Sequence, residues 1–424
     1  MIRWAVIFFP ALRYRKYNGA PGVSFFTSVI IPVVDEDPEL FRDVMTRILS
    51  QRPDEVIVVI NGPENPALKE IVGETAAACN ETPESKSVRT ECLYTPSPGK
   101  RNAIRLGMEQ VSENSDITFL VDSDTIWTEN TLEELLKPFS EDEAIGGVTT
   151  RQKILNARRT LTTRVAAFLE EIRAEGTMKA MSVTGKVGCL PGRTIAFRTS
   201  ILKDAMEEFM TETFMGIHKE VSDDRSLTNI TLKKGYKTVM QDSSLVYTDA
   251  PLTWKKFLRQ QLRWAEGSQY NNLRMTRWMF KNAPLMCFIF WTDMLMPLLL
   301  IGMYANIFLC FLARTLGFAV NTINYTEPLV LTLVLILFGA VFGFGARNIK
   351  VLIHQPLSSL LLLPFMTLFL SLVMAPLRLL GLMRCADDLD WGTRQLVSGS
   401  EETNPSGPEY DGTPSKEPLK GGRL

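Results

Sequence analysis

The sequence predicts an α/β domain built on a Rossmann-like parallel sheet, followed by a C-terminal α-helical transmembrane region with amphipathic interface helices. Three observations carry this. Apolar runs at 25–34, 56–60 and 117–121 alternate with helical stretches, the pattern that builds a parallel sheet with ligands at the strand carboxyl ends. Charge is segregated, since residues 1–280 are mixed and charged whereas 284–382 are mostly apolar. Between the halves, 254–280 carries Trp254, Phe257, Leu258, Leu262, Tyr270, Trp278 and Phe280 among many basic residues, which suits a helix lying in a headgroup layer.

In chain order, Met1 to Pro10 is apolar but too short to span, and Arg13, Arg15 and Lys16 follow it, the reverse of a signal peptide. It reads as an interfacial foot, with a frayed or core-packed terminus as the alternative. Residues 25–34 read as a buried strand, 39–50 as a helix and Val56 to Ile60 as the second strand. Residues 63–90 read as helix and loop, 101–111 as helix and Ile117 to Val121 as the third strand. Helical patterns recur at 131–139 and 156–181, with loop plus strand at 187–198 and a helix beginning within 220–234. Residues 285–313 and 328–346 are each long enough to cross about 30 Å of hydrocarbon. Residues 351–383 are apolar but interrupted by Pro356, Pro364 and Pro376. The loop Arg347-Asn348-Ile349-Lys350 is expected on the cytosolic side, and Arg378, Arg384 and Arg394 favour the cytosol for the C-terminus. Three simple crossings conflict with that, so either the third segment is a hairpin or re-entrant element, or 285–316 holds two elements. The Gly-, Pro-, Ser- and Glu-rich stretch 398–424 is expected to be disordered.

Composition excludes some functions. With 46 basic and 47 acidic residues, the chain lacks the basic excess of a nucleic-acid binder. Its six cysteines show no paired spacing and there are only two histidines, which argues against zinc and fits a reducing cytosolic face.

Four clusters carry chemistry. Asp122-Ser123-Asp124 ends a strand, where two carboxylates can reach one hard divalent cation bridging a nucleotide diphosphate; a helix cap is the alternative. Ser97-Pro98-Gly99-Lys100-Arg101-Asn102 opens a helix, so Lys100 and Arg101 can contact phosphates, unless the stretch is only a solvated basic turn. Asp223 and Asp224 form a second acidic pair, one of which could deprotonate an acceptor hydroxyl attacking an anomeric carbon; a surface cap is the alternative. Gln260, Arg263 and Trp264 share one helix face, where Trp264 can stack on a sugar and Arg263 can hold a diphosphate, or the helix is a plain interfacial anchor.

Taken in this order, from about 25 to 395, these motifs resemble the processive membrane glycosyltransferases of family 2: hyaluronan synthases, nodulation-type chitin-oligosaccharide synthases, cellulose synthases and type 3 capsule synthases. The resemblance implies a GT-A fold, a UDP-sugar donor, a growing glycan acceptor, Mg or Mn, and an integral plasma-membrane protein with a cytosolic catalytic domain and its own channel. It implies that Ser28 to Asp37, including Pro32, forms the first strand and nucleotide loop, with Asp35 and Asp37 near base and ribose. Asp122 and Asp124 match the metal pair, Asp224 the general base, and Gln260, Arg263 and Trp264 the channel-mouth signature. Gly188 to Thr194 occupies the acceptor-side loop. Asp223 to Asn229 is closer to hyaluronan and nodulation-type synthases than to cellulose synthases. Trp391-Gly392-Thr393-Arg394 is similar to a cytosolic gating element of bacterial-type hyaluronan synthases, so Trp391 and Arg394 join the expected binding residues and the hairpin reading is favoured. Two departures stand out. The second strand ends in Ile60-Asn61-Gly62-Pro63 rather than Asp-Asp-Gly-Ser, leaving Asn61 as a neutral replacement for an acidic contact. The acceptor-side loop reads Leu-Pro-Gly-Arg-Thr, and Arg193 could meet an acidic sugar or be structural. The N-terminal spans of many relatives are missing from this sequence, so a homodimer would help enclose the product.

The expected organisation is an interfacial segment at 1–24, the catalytic domain at 25–250, interface helices at 251–283, the channel region at 284–384, a gating-type segment at 385–397 and the tail at 398–424. Two rivals stay open: a non-processive lipid-linked sugar transferase, and a transporter or scaffold with a degenerate transferase domain.

Overall fold

The structure, a computed structural model, describes residues 2–81, 86–316, 329–353 and 360–387. Trp391, Arg394 and the expected tail at 398–424 lie outside these.

After a first helix, α1 (Ile2–Leu12), the chain forms β1 (Thr27–Val33), α2 (Pro38–Ser50), β2 (Glu55–Asn61), α3 (Pro66–Asn80), β3 (Arg89–Thr95), α4 (Lys100–Gln110), β4 (Ile117–Val121), β5 (Ile126–Trp127), α5 (Thr131–Glu141) and β6 (Ile145–Ile154). Then come α6 (Leu161–Arg173), a π-turn (Ala174–Met178), α7 (Lys179–Val183), β7 (Thr194–Arg198), α8 (Thr199–Met210), the short hairpin β8 (Thr213–Phe214) and β9 (Ile217–His218), α9 (Asp223–Lys233) and β10 (Lys237–Thr248). The main sheet runs β3-β2-β1-β4-β7-β6-β10-β5. Strands β1 to β4 are parallel, but β7 inserts antiparallel to both β4 and β6, so the sheet is mixed rather than wholly parallel.

Burial explains the central strands. Val29, Ile30 and Ile31 of β1 and Val56 to Ile60 of β2 are buried on both faces, giving the continuous apolar runs of covered parallel strands. One face packs α2, α3 and α5; the other packs α4, α8 and α9 together with the start of the apolar helices. The edge strand β3, Arg-Thr-Glu-Cys-Leu-Tyr-Thr, is half exposed and lacks such a run, so Ile117 to Val121 is the fourth strand in sequence and not the third.

Beneath the loop before β7, Gly147 of β6 has no room for a side chain. A Cβ there would sit 2.7 Å from Leu190 Cδ1 and 3.0 Å from Phe197. Gly147→Val is expected to cost about 1–3 kcal/mol by overpacking, read as a lower melting temperature.

The second half is helical: α10 (Trp254–Asn282), α11 (Pro284–Thr315), α12 (Leu329–Arg347), α13 (Ile349–Ile353), α14 (Leu362–Phe369), a π-turn (Leu370–Met374) and α15 (Ala375–Arg384). Among the described residues, two helices are long and apolar enough to cross a membrane, Pro284–Ala313 and Leu362–Arg384. Residues 285–315 form one helix through Pro297, not two elements. Helix also runs through Pro364 and Pro376: Pro364 sits in the first turn of α14, and Pro376 lies two residues after the π-turn, whose widened backbone accommodates a missing N–H. The stretch that would carry a hairpin turn, 354–359 with Pro356, lies outside the described residues. Helix α1 buries Ile7 and Ala11 in the core beside Met178 and turns Ile2 and Phe9 outward. Arg3 ties it to α11 through Asp293 at 2.5 Å and Thr292 at 2.8 Å.

Candidate active site

The site forms where the carboxyl ends of β1, β2 and β4 meet the start of α4, the start of α9 and the loop 188–193. Strand β4 runs directly into Asp122, whose backbone N–H donates to the Arg193 carbonyl at 3.0 Å. That bond pins the loop to the strand end. Gly99 caps the start of helix α4 with φ 115°, a conformation glycine adopts without a Cβ penalty. The turn delivers Lys100, whose Nζ lies 2.5 Å from Asp122 Oδ1. Burial alone would favour the neutral amine, but Asp122, Asp223 and Asp224 outweigh it and hold Lys100 firmly charged.

Helix α9 supplies the second acidic pair. Ser222 precedes it in the left-handed region, at φ 71°. Helix α10 braces this turn: Gly267 packs so closely on Ser222 that a Cβ would come within 2.8 Å, and the Tyr270 hydroxyl donates to the Val221 carbonyl at 2.7 Å. Asp224 Oδ2 accepts from the Gly192 N–H at 3.3 Å and lies 3.6 Å from Cys189 Sγ. Gly192 stands between Asp224 and Lys100, since a Cβ there would lie 3.4 Å from Lys100 Nζ and 3.5 Å from Asp224 Cβ. Burial and the Asp224 carboxylate push the Cys189 thiol up to about 11, so it stays a thiol at neutral pH and is no nucleophile.

The same loop reaches the interface helix. Arg193 lies over the half-exposed Trp264 ring at 6.0 Å from its centroid. Arg193 donates to Gln152 Oε1 at 2.7 Å and pairs with Glu170 at 3.3 Å, while Arg173 pairs with Glu170 at 2.6 Å. Burial opposes ionisation of Glu170, but the two arginines outweigh it and hold the carboxyl below its ordinary range. Helix α11 closes the loop's far side at Gly188, where a Cβ would sit 2.5 Å from Phe290 and 2.6 Å from Met286 Sδ. Lys100, Asp122, Asp224 and Trp264 therefore converge on one short loop, and the first long apolar helix touches that loop.

Other expected site residues have different positions. Arg101 does not face the phosphate side: it is 3% exposed and its guanidinium bonds Glu212, Asp223, Ser226 and the Phe209 carbonyl. Asp223 is likewise buried, and burial raises its pKa. Asp37 caps α2 by accepting from the Leu40 N–H at 2.9 Å, so the capping role holds that carboxylate. Pro32 is buried within β1, away from solvent, and Asp35 is exposed in the loop that follows. Asn61 ends β2 fully buried and donates to the Gly99 carbonyl at 3.1 Å, fixing the loop before α4, while its Oδ1 has no hydrogen-bond partner. Gln260 and Arg263 are half-buried on α10, Gln260 one turn before Trp264 and Arg263 directly before it. Sequence reasoning passed over Glu36, which accepts from Ser123 at 2.8 Å, and the group Gln152, Glu170 and Arg173.

The carboxylates of Asp122 and Asp124 would be the donors for a hard divalent cation at the strand end, where the Lys100 ammonium against Asp122 marks a position that favours positive charge. No group of three or more His, Cys, Asp or Glu placed to hold a metal occurs among the described residues. A cation here would complete its shell with phosphate and water oxygens, as magnesium commonly does.

Residues 23–267 match the sequence family described as glycosyltransferase like family 2. Hyaluronan synthase of Streptococcus pyogenes serotype M1 is 27% identical over 394 residues, covering 91% of this chain and 87% of that protein. Hyaluronan synthase 3 of Xenopus laevis is 25% identical over 304 residues, 65% of this chain and 55% of that one. Among solved structures, the mannosyltransferase PcManGT from Pyrobaculum calidifontis, in complex with GDP-Man and Mn2+, aligns with a TM-score of 0.56 at 15% identity, over 88% of this chain and 95% of that one.

Proposed function

Given that the chain belongs to glycosyltransferase family 2 and has a GT-A-like fold, we propose that this glycosyltransferase is a processive, inverting polysaccharide synthase that uses UDP-sugars and moves its product across the membrane. The observation that supports it most is the convergence of Asp122, Asp224, Lys100 and Trp264 on the loop 188–193, beside α11. A lipid-linked sugar transferase needs no indole at that position. The similarity to hyaluronan synthases over nearly the whole chain supports the same reading.

Asp122 and Asp124 would hold the divalent cation, Mg or Mn, which when bound neutralises the donor diphosphate. Lys100, at the same strand end, offers its ammonium to the phosphates as the nucleotide departs. Asp224 takes the proton from the acceptor hydroxyl while that oxygen attacks the anomeric carbon. Its placement by the Gly192 N–H and the braced α9 start limits the orientations it can sample. Trp264 offers its face to the acceptor sugar, and Arg263 directly precedes it on the same helix. The growing glycan then enters a path lined by α11 and the later apolar helices, with the catalytic domain on the cytosolic side.

The test is the purified full chain in lipid nanodiscs, given UDP-N-acetylglucosamine, UDP-glucuronic acid, or both, with UDP release and product size measured. Long chains with UDP release are expected. A single sugar on lipid, or no UDP release from any donor, would refute the proposal. Trp264→Ala is expected to shorten the product about tenfold, since a lost stacking contact is worth about 1.5 kcal/mol at most, while donor hydrolysis stays within about threefold. Gel sizing beside a UDP assay reads both.

A further inference from the structure

We propose that Arg101 is a positioning residue for the acidic pair, acting on transfer through Asp223 and the start of α9 and not through the donor's phosphates. The proposal rests on the reading of Asp224 as the base.

Lys100 and Arg101 are adjacent, yet they do opposite things. Lys100 points to the strand end that carries Asp122. Arg101 points into the protein, and all three of its guanidinium nitrogens are engaged. Nε lies 3.3 Å from Asp223 Oδ1. One terminal nitrogen donates to Glu212 Oε2 at 2.6 Å and to Ser226 Oγ at 3.1 Å, and the other to the Phe209 carbonyl. The guanidinium also lies over the Phe209 ring at 4.5 Å. Four of its five N–H donors are thus engaged inside the protein, and the group is 3% exposed.

The network has a direction. Arg274 of α10 pairs with Glu212, Glu212 accepts from Ser226 and Arg101, and Arg101 holds Asp223. Two buried or half-buried cations therefore balance two buried anions. Asp223 is one peptide from Asp224, and both follow the left-handed turn at Ser222. Helix α10 grips that turn from one side through Gly267 and Tyr270, and Arg101 grips the residue after it from the other. The base is thus clamped between α4 and the interface helix. Displacing a reacting group by about 1 Å can cost on the order of 100-fold in rate, so the clamp has kinetic consequences.

The experiment is a double-mutant cycle on the full chain in nanodiscs, with Arg101→Gln, Asp223→Asn, the pair together, and Arg101→Lys. UDP release gives kcat and KM, and calorimetry with UDP gives nucleotide affinity. Arg101→Gln is expected to lower kcat about 100-fold with UDP affinity within about threefold, and the double variant to be no more than about threefold worse than the poorer single. Arg101→Lys, which keeps the charge, recovers part of the loss. A tenfold or greater loss of UDP affinity with near-normal kcat, or effects that multiply in the double variant, overturns the proposal. Should Arg101→Gln not fold, Asp223→Asn and Arg101→Lys still decide it, because both must lower kcat without weakening UDP. Turnover retained in Asp224→Asn instead removes the base reading, whereas the Arg101–Asp223 coupling is still measured as melting temperature.

Discussion

Asp224→Asn is expected to lower sugar transfer by about 10³-fold or more, while nucleotide binding stays within about threefold. The asparagine keeps the size of the side chain and can still accept from the Gly192 N–H, so loop and helix stay in place. What disappears is the proposed proton acceptor for the attacking hydroxyl. Cys189, 3.6 Å from Asp224, is held protonated by burial and does not replace it at neutral pH. A radiolabel incorporation assay beside a UDP-binding isotherm separates the two quantities. Normal incorporation would refute the assignment.

The second large effect is expected at Asp122. Asp122→Asn removes one of the two proposed cation ligands and leaves the Lys100 ammonium without its 2.5 Å partner. Donor affinity in the presence of Mg or Mn is expected to fall about 100-fold, since losing a proposed cation ligand also unbalances the half-buried Lys100 ammonium. Chelation with EDTA is expected to inactivate the wild-type chain, with activity restored by excess Mg or Mn. Undiminished donor binding by Asp122→Asn, or activity that survives chelation, would contradict the proposed cation role.

These expectations come from residues whose positions are readable because they sit at element ends. Asp122 follows an apolar run, and a strand end needs no long-range information to be recognised. Asp223 and Asp224 open a helix, which is also where an acidic pair satisfies free N–H groups. Sequence could not say which of two neighbours faces inward. Lys100 and Arg101 both begin α4, and only the packing of α8 and α9 decides that Arg101 is enclosed and Lys100 is not. Asp37, expected near base and ribose, also caps α2, a role its position before Pro38 makes local. Asn61, read as a substitute for an acid, spends its amide on the Gly99 carbonyl, so it shapes the loop that presents Lys100. Gln152, Glu170 and Arg173 carried no signal, because their grouping beside Arg193 arises from β6 and α6 meeting in space. In the fold, the buried strands β1, β2 and β4 were legible from apolar runs. The strand at β7 is expected within 187–198, but its antiparallel direction and the edge strand β3 depend on pairing that a run of residues does not encode.

The most direct measurement is a structure of the Asp224→Asn chain trapped with a UDP-sugar and an oligosaccharide acceptor. The account predicts the donor diphosphate against Asp122 and Lys100, the terminal acceptor sugar on the Trp264 ring, and its attacking hydroxyl about 3 Å from the side chain at position 224. An acceptor bound away from Trp264, or a diphosphate seated outside the reach of Asp122, would contradict it.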